Sequence, residues 1–224
     1  MSPTEQKSMS PEIMQKIYES GVIAVLVIDE LKHALPLANA LLEGGINTIE
    51  LTLRTPVALD AAAAIKKQFP AMNLGIGTVL TVEQVKAVAD LEVDFAVAPG
   101  CNSKIIQAAQ KHGLSYAPGI ATASELETAL ELGCRVMKYF PAEPLGGMKY
   151  LKSMAGPYQY LGLKFIPLGG LNISNVGEYL ESGIITAIGG SWIAKRSLIQ
   201  EEDWETITSN AKEISALIKK VRNQ

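Results

Sequence analysis

The sequence predicts an α/β fold of the (β/α)8, TIM-barrel type, with an extra helix ahead of the first strand. Three observations predict it. A unit of short β-branched run, loop and helix-patterned segment recurs eight times along the 224 residues, which is the signal of successive parallel βα units. Helix-patterned segments end at glycines in Glu43-Gly44-Gly45, Lys111-His112-Gly113, Glu131-Leu132-Gly133 and Glu181-Ser182-Gly183, where glycine accepts the left-handed C-cap and a strand follows within a few residues. The chain length and a hydrophobic content of 48% suit one large core. A single domain over 1–224 is therefore expected, with 1–20 as an N-terminal extension and capping helix. A doubly wound open sheet is the alternative, because strand count is legible in a sequence and strand pairing is not.

In chain order, Ser10-Pro11-Glu12 reads as N-cap, N1 proline and first-turn acid of the extra helix, placed to close the bottom of the barrel. The eight strands are expected at 22–28, 48–53, 74–77, 95–98, 115–118, 136–140, 164–168 and 186–189, each apolar and followed by helical sequence. The last helix, about 203–221, alternates charged residues with Ile207, Ile214 and Ile218 at helical spacing.

Composition removes several function classes. The net charge of -3 is spread without a basic stripe, so no nucleic-acid or anionic-membrane partner is expected. The longest apolar stretch, 21–28, is far too short to cross a bilayer, and the opening MSPTEQKSMSPE lacks the order of a signal peptide, so a cytoplasmic location is expected. Neither Cys101 nor Cys134 has metal-ligand spacing. Cys134 is read as a small core residue and Cys101 as a loop residue, with no disulfide between them. His33 and His112, the only histidines, are flanked on predicted helices by charged or amide residues and are read as solvated. No metal site and no cofactor are expected.

The residue that carries chemistry is Lys138, in the middle of the apolar run Val136-Met137-Lys138-Tyr139-Phe140-Pro141. Burying an ammonium costs several kcal/mol unless it is paired, and an amine in such a place tends toward its neutral, nucleophilic form. A neutral lysine amine attacks a ketone to give a Schiff base, and the protonated imine accepts electrons from a neighbouring breaking carbon-carbon bond. The bland alternative is a lysine that snorkels out from a strand end.

Active sites of such barrels lie at the carboxyl ends of the strands. In Thr48-Ile49-Glu50-Leu51-Thr52-Leu53-Arg54 the period-two rule puts Thr48, Glu50, Thr52 and Arg54 on one face, and the apolar face must meet the helices. Glu50 and Arg54 then point into the barrel or its mouth, as a structural ion pair with each other or as site residues. With Lys138 facing the same interior, the set becomes amine, carboxylic acid and guanidinium. Each has a task on a small 2-keto acid: Lys138 as nucleophile, Glu50 as proton carrier, and Arg54 as a bidentate clamp on the substrate carboxylate. Leu168-Gly169-Gly170 and Gly189-Gly190-Ser191 follow the seventh and eighth strands, where such barrels bind phosphate, although glycine pairs also serve purely conformational ends. Trp192 reads as a core aromatic, and Phe140 as an apolar wall beside the imine.

Together the segments GGINTIELTLRTP at 44–56, IGTVLT at 76–81, FAVAPG at 95–100, SYAPGIATASE at 115–125, VMKYFPAE at 136–143 and IGGSW at 188–192 resemble the bacterial 2-keto-3-deoxy-6-phosphogluconate (KDPG) aldolase family. That family includes the 4-hydroxy-2-oxoglutarate (KHG) aldolases. The resemblance implies a class I, metal-independent aldolase. It would cleave 2-dehydro-3-deoxy-6-phosphogluconate to pyruvate and glyceraldehyde 3-phosphate, or 4-hydroxy-2-oxoglutarate to pyruvate and glyoxylate. Lys138 matches the Schiff-base lysine and Glu50 the general acid/base. Arg54 and Thr78 match contacts to the pyruvyl carboxylate, Pro99 and Phe140 packing positions of the site, and Gly169, Gly170, Gly190 and Ser191 the phosphate loops. A homotrimer is implied as well. One residue departs from the pattern: members specific for the phosphogluconate substrate read Thr-Gly-Gly after the seventh strand, and here Leu168 stands in place of the threonine. That leaves the galactonate-derived epimer or a non-phosphorylated 4-hydroxy-2-oxo acid as alternative substrates. A phosphosugar isomerase or synthase, or a non-catalytic phosphosugar binder, on the same barrel would need no imine.

Overall fold

The computed structural model describes residues 9–222. Ten α-helices and nine parallel strands form an α/β fold among these residues. The strands are β1 (Val22–Leu26), β2 (Thr48–Thr52), β3 (Asn73–Gly77), β4 (Phe95–Val97), β5 (Tyr116–Ala117), β6 (Gly119–Ile120), β7 (Val136–Tyr139), β8 (Lys164–Pro167) and β9 (Ile188–Gly190). One sheet runs β5-β4-β3-β2-β1-β9 and a second runs β6-β7-β8. Strand order follows chain order with the last strand beside the first, which is not the order of a doubly wound sheet. The sheets meet at two places. Thr186 N donates to Phe165 O at 3.0 Å near the bridge between Phe165 and Ile185, and Gly119 N donates to Gly100 O at 3.2 Å.

The expected fifth strand, 115–118, is divided in two, and proline is the reason. Pro118 has no N–H for a ladder, so Tyr116–Ala117 pairs with β4 and Gly119–Ile120 pairs with β7 on either side of it. The Pro118 carbonyl stays in the ladder and accepts from Lys138 N at 2.8 Å. The other strands fall within about two residues of their expected limits, the eighth sitting later, at Ile188–Gly190.

Helix signals act much as read. Ser10 caps α1 (Pro11–Ser20) by accepting from Ile13 N, with Pro11 in the first turn. Two helix starts that the sequence reading did not single out are capping boxes, Thr81 with Gln84 at α4 (Val82–Asp90) and Thr122 with Glu125 at α6 (Ala123–Glu131). Gly45, Gly113 and Gly133 take left-handed conformations, and Gly183 does not. There the chain turns instead through bonds from Ser182 N to Tyr179 O and from Ile185 N to Ser182 O.

Burial follows strand alternation. Val22, Ala24 and Leu26 of β1 join the large cluster between strands and helices, where Ile207, Ile214 and Ile218 of α10 (Trp204–Arg222) also pack. Ile23, Phe95, Val97, Ala117, Val136 and Ile166, from the opposite strand faces, meet one another in a second cluster with Met9, Ile13 and Ile17. Helix α1 thus covers the interior near the strands' amino ends, and each buried isoleucine stabilises this closure by about 1.5–3 kcal/mol.

One histidine departs from the expectation. His33 is buried, not solvated: its ring packs on Trp204 with centroids 5.9 Å apart, and Nε2 lies 3.2 Å from Glu202 Oε1. Helix periodicity alone could not see a partner 169 residues away. Cys134 is buried as expected, and Cys101 is half-buried beside the carboxyl end of β4.

Candidate active site

Strand β7 positions Lys138, and β2 positions Glu50. Their side chains meet across the interior, with Lys138 Nζ 2.9 Å from Glu50 Oε1 and 3.2 Å from Oε2. Side-chain exposure is 7% for the lysine and 2% for the glutamate, so the pair is desolvated and each charge depends on the other. Snorkelling is excluded by that burial. A Glu50–Arg54 ion pair is excluded too, because Glu50 takes Lys138 as its partner and Arg54 is exposed with no side-chain bond among the described residues.

Beside the pair, the centroid of the Phe140 ring lies 5.6 Å from Lys138 Nζ. Gly119 is the in-register neighbour of Lys138. A Cβ on Gly119 would lie 2.6 Å from Ala98 O and closer still to the Pro99 carbonyl, so Pro99 packs against the strand beside the lysine. Arg54 lies two residues beyond β2 at its carboxyl end, free to meet a ligand.

Thr78 directly follows β3 and is half-buried with φ 62°, a left-handed conformation that a β-branched residue adopts only under strain. Strain of this kind costs about 1–3 kcal/mol and is stored where it aims a group. We expect Thr78→Gly to raise unfolding stability by about 1 kcal/mol net of glycine's entropy cost. Urea melts check this, and a stability loss would show that the turn holds no strain.

The two glycine turns lie at the carboxyl ends of β8 and β9. Gly169 and Gly170 have φ of 97° and 80°, and Gly170 and Ser191 are exposed, whereas Gly190 is buried at the end of β9 under the Trp192 ring. Trp192 is half-buried and packs on the main core, as read. The sequence reading missed what braces the first turn. Glu143 N donates to Gly169 O at 3.0 Å, Asn175 Nδ2 donates to Gly170 O at 3.1 Å, and the Tyr179 hydroxyl donates to the Glu143 carboxylate. Burial and that bond push the Tyr179 hydroxyl up, keeping it a donor. Glu143 falls inside the segment VMKYFPAE, which was the available signal.

Other reactive groups are set aside by their surroundings. Burial pushes the Cys101 thiol up, away from a reactive thiolate, and raises the Tyr139 hydroxyl to about 12. Among the described residues, no group of three or more His, Cys, Asp or Glu side chains could hold a metal ion. None of the described helices is long and apolar enough to cross a membrane.

Known proteins are similar to this chain. Residues 13–210 match the family described as KDPG and KHG aldolase. The chain is 40% identical over 203 residues to the 2-dehydro-3-deoxy-phosphogluconate aldolase of Pseudoalteromonas atlantica, covering 90% of this chain and 94% of that protein. It is 38% identical over 192 residues to the KHG/KDPG aldolase of Escherichia coli K12, covering 86% and 89%. Among solved structures it superposes with TM-score 0.85 and 40% identity on the KDPG aldolase of Legionella pneumophila, over 89% of this chain and 96% of that one. That enzyme was solved with pyruvate captured at low pH as a covalent carbinolamine.

Proposed function

The chain belongs to the KDPG and KHG aldolase family, and from that premise we propose how its residues divide the work of a class I aldolase acting on 2-dehydro-3-deoxy-6-phosphogluconate. It is a pyruvate-dependent lyase that works through a Schiff base. The single observation that carries the assignment of roles is the buried Lys138–Glu50 pair at 2.9 and 3.2 Å.

Glu50 takes a proton from Lys138, and the neutral amine attacks C2 of the keto acid to give a carbinolamine. Glu50 returns that proton to the departing hydroxyl, water leaves, and a protonated imine remains. The Glu50 carboxylate then accepts the proton of the C4 hydroxyl as the C3–C4 bond breaks. The electron pair passes into the imine, producing an enamine and glyceraldehyde 3-phosphate. Protonation of the enamine at C3 and hydrolysis release pyruvate and restore the amine. Arg54 and the turn at Thr78 bind the pyruvyl carboxylate, Pro99 and Phe140 shape the apolar wall, and Gly169, Gly170, Gly190 and Ser191 hold the phosphate through backbone N–H groups.

Borohydride reduction with pyruvate, followed by peptide mass spectrometry, tests this assignment. An adduct on Lys138 is expected. Folded protein with no adduct there would return the site to an isomerase-like use of Glu50 and the phosphate turns.

Leu168 favours a second substrate reading. Its side chain is 5% exposed and packs over Gly189, where a Cβ would lie 2.6 Å from Leu168 Cδ2, so this wall of the site is apolar. The galactonate-derived epimer, or 4-hydroxy-2-oxoglutarate with glyoxylate as product, then competes as substrate. Leu168→Thr is expected to lower stability by about 1–3 kcal/mol through lost packing. The same change should raise kcat/KM for the phosphogluconate-derived substrate about two- to tenfold, the value of one neutral hydrogen bond. An unchanged kcat/KM would make Leu168 a packing choice.

The same reading takes the whole chain as one domain, an eight-stranded closed barrel in which β5 and β6 are a single strand interrupted at Pro118. The bonds from Thr186 to Phe165 and from Gly119 to Gly100 support that closure. It also takes the working form as a cytoplasmic homotrimer, a state supported by the exposed apolar side chains of Leu80 and Val82, 51% and 44% accessible, and tested by light scattering.

A further inference from the structure

We propose that Gly77 is a positioning residue for Glu50, a role that rests on the proton-transfer assignment made above. Gly77 closes β3, and its in-register neighbour on β2 is Thr52. Glycine in a strand forgoes side-chain packing and backbone stiffness, so its presence there calls for a cause. Backbone conformation is not the cause: Gly77 is absent from the left-handed glycines, and any residue could adopt its geometry. Space is the cause.

A Cβ built on Gly77 would lie 2.7 Å from Glu50 Cδ and 2.8 Å from Glu50 Cγ, and closer still to Oε1, the oxygen bonded to Lys138. The glutamate side chain therefore lies over β3, in the volume that any other residue at position 77 would fill. One layer below, β3 repeats the device with a different occupant. Gly75 pairs in register with Glu50, and a Cβ there would lie 2.7 Å from Phe95 Cε1. The aromatic ring fills the lower gap and the carboxylate fills the upper one. Apart from Lys138, the Glu50 carboxylate has no hydrogen-bond partner among the described residues, so steric confinement over Gly77 and the single ion pair hold it between them.

Gly77→Ala would push the carboxylate off this position while leaving Lys138 in place. We expect kcat to fall about 10²-fold, within the range of a displaced general acid–base group. The exchange of pyruvate methyl protons in deuterated water should fall in parallel, and the acid–base limb of the pH–rate profile should move. Borohydride should still trap pyruvate on Lys138 at saturating pyruvate, and KM should change less than about threefold, because the nucleophile and the groups assigned to the substrate carboxylate keep their places.

The decisive comparison is a double-mutant cycle with Glu50→Ala, read on the residual proton exchange, because alanine removes Cγ, Cδ and Oε1, the three atoms a Cβ at position 77 would meet most closely. In that background Gly77→Ala should cost less than about threefold in proton exchange. An equal cost in both backgrounds, or wild-type kcat and pH profile in Gly77→Ala, would overturn the inference. Should Gly77→Ala fail to fold, folding regained in the double variant supports the clash with Glu50, and continued unfolding overturns it. Failure of the Schiff-base reading looks different, since unaltered protein would then form no adduct on Lys138.

Discussion

Replacing Lys138 with arginine should abolish aldol cleavage, lowering kcat on the order of 10⁴-fold or more, with no borohydride-trapped pyruvate on the protein. The variant keeps a positive charge within reach of Glu50, so the ion pair survives in altered geometry and the fold has a counter-ion for its buried carboxylate. What it loses is a nitrogen that can give up its proton and form an imine, because guanidinium stays protonated. This contrast separates the aldolase from an isomerase using the same barrel, which needs charge at position 138 but no nucleophile. Circular dichroism establishes that the variant is folded, and a coupled assay for pyruvate release measures the loss. Substantial turnover by folded protein would refute the Schiff-base role.

Glu50→Gln should cost about 10²- to 10⁴-fold in kcat, because the amide keeps the shape of the side chain and can still accept a bond from Lys138 but carries no proton between steps. Stability should fall as well. Lys138 is 7% exposed in its side chain, and an ammonium left without its counter-charge belongs to the class of changes that costs about 3–5 kcal/mol. The two losses are measured separately, by initial rates at saturating substrate and by urea denaturation. Wild-type kcat with lowered stability would make Glu50 a structural counter-ion only, and the proton carrier would have to be sought elsewhere.

Strand positions, helix starts and the site's chemical groups were legible because each rests on local physics. Apolar runs of β-branched residues mark strands whatever surrounds them, and Ser10 caps its helix through a bond spanning three residues. Lys138 stood out because a charge in an apolar run has few explanations. The period-two rule also put Glu50 on the inward face correctly. It said nothing of which charge would meet which, and placed Arg54 on the same face without showing that its side chain ends in solvent. The division of one strand at Pro118 went unread, although proline's missing N–H was the available signal. His33 was not readable, because the ring that buries it and the carboxylate that bonds it come from the far end of the chain.

By itself the sequence determined a parallel βα succession, an amine, a carboxylate and a guanidinium near strand ends, and glycine turns where phosphate binds in such folds. These follow from residue type, spacing and burial preference, all local in the chain. Only the tertiary structure decided that Lys138 pairs with Glu50 across 88 residues, that Thr78 is held left-handed at the mouth, and that Gly77 is glycine to leave room for a carboxylate. Those facts depend on distances between atoms remote in sequence, and such distances exist only once the strands have packed around one interior.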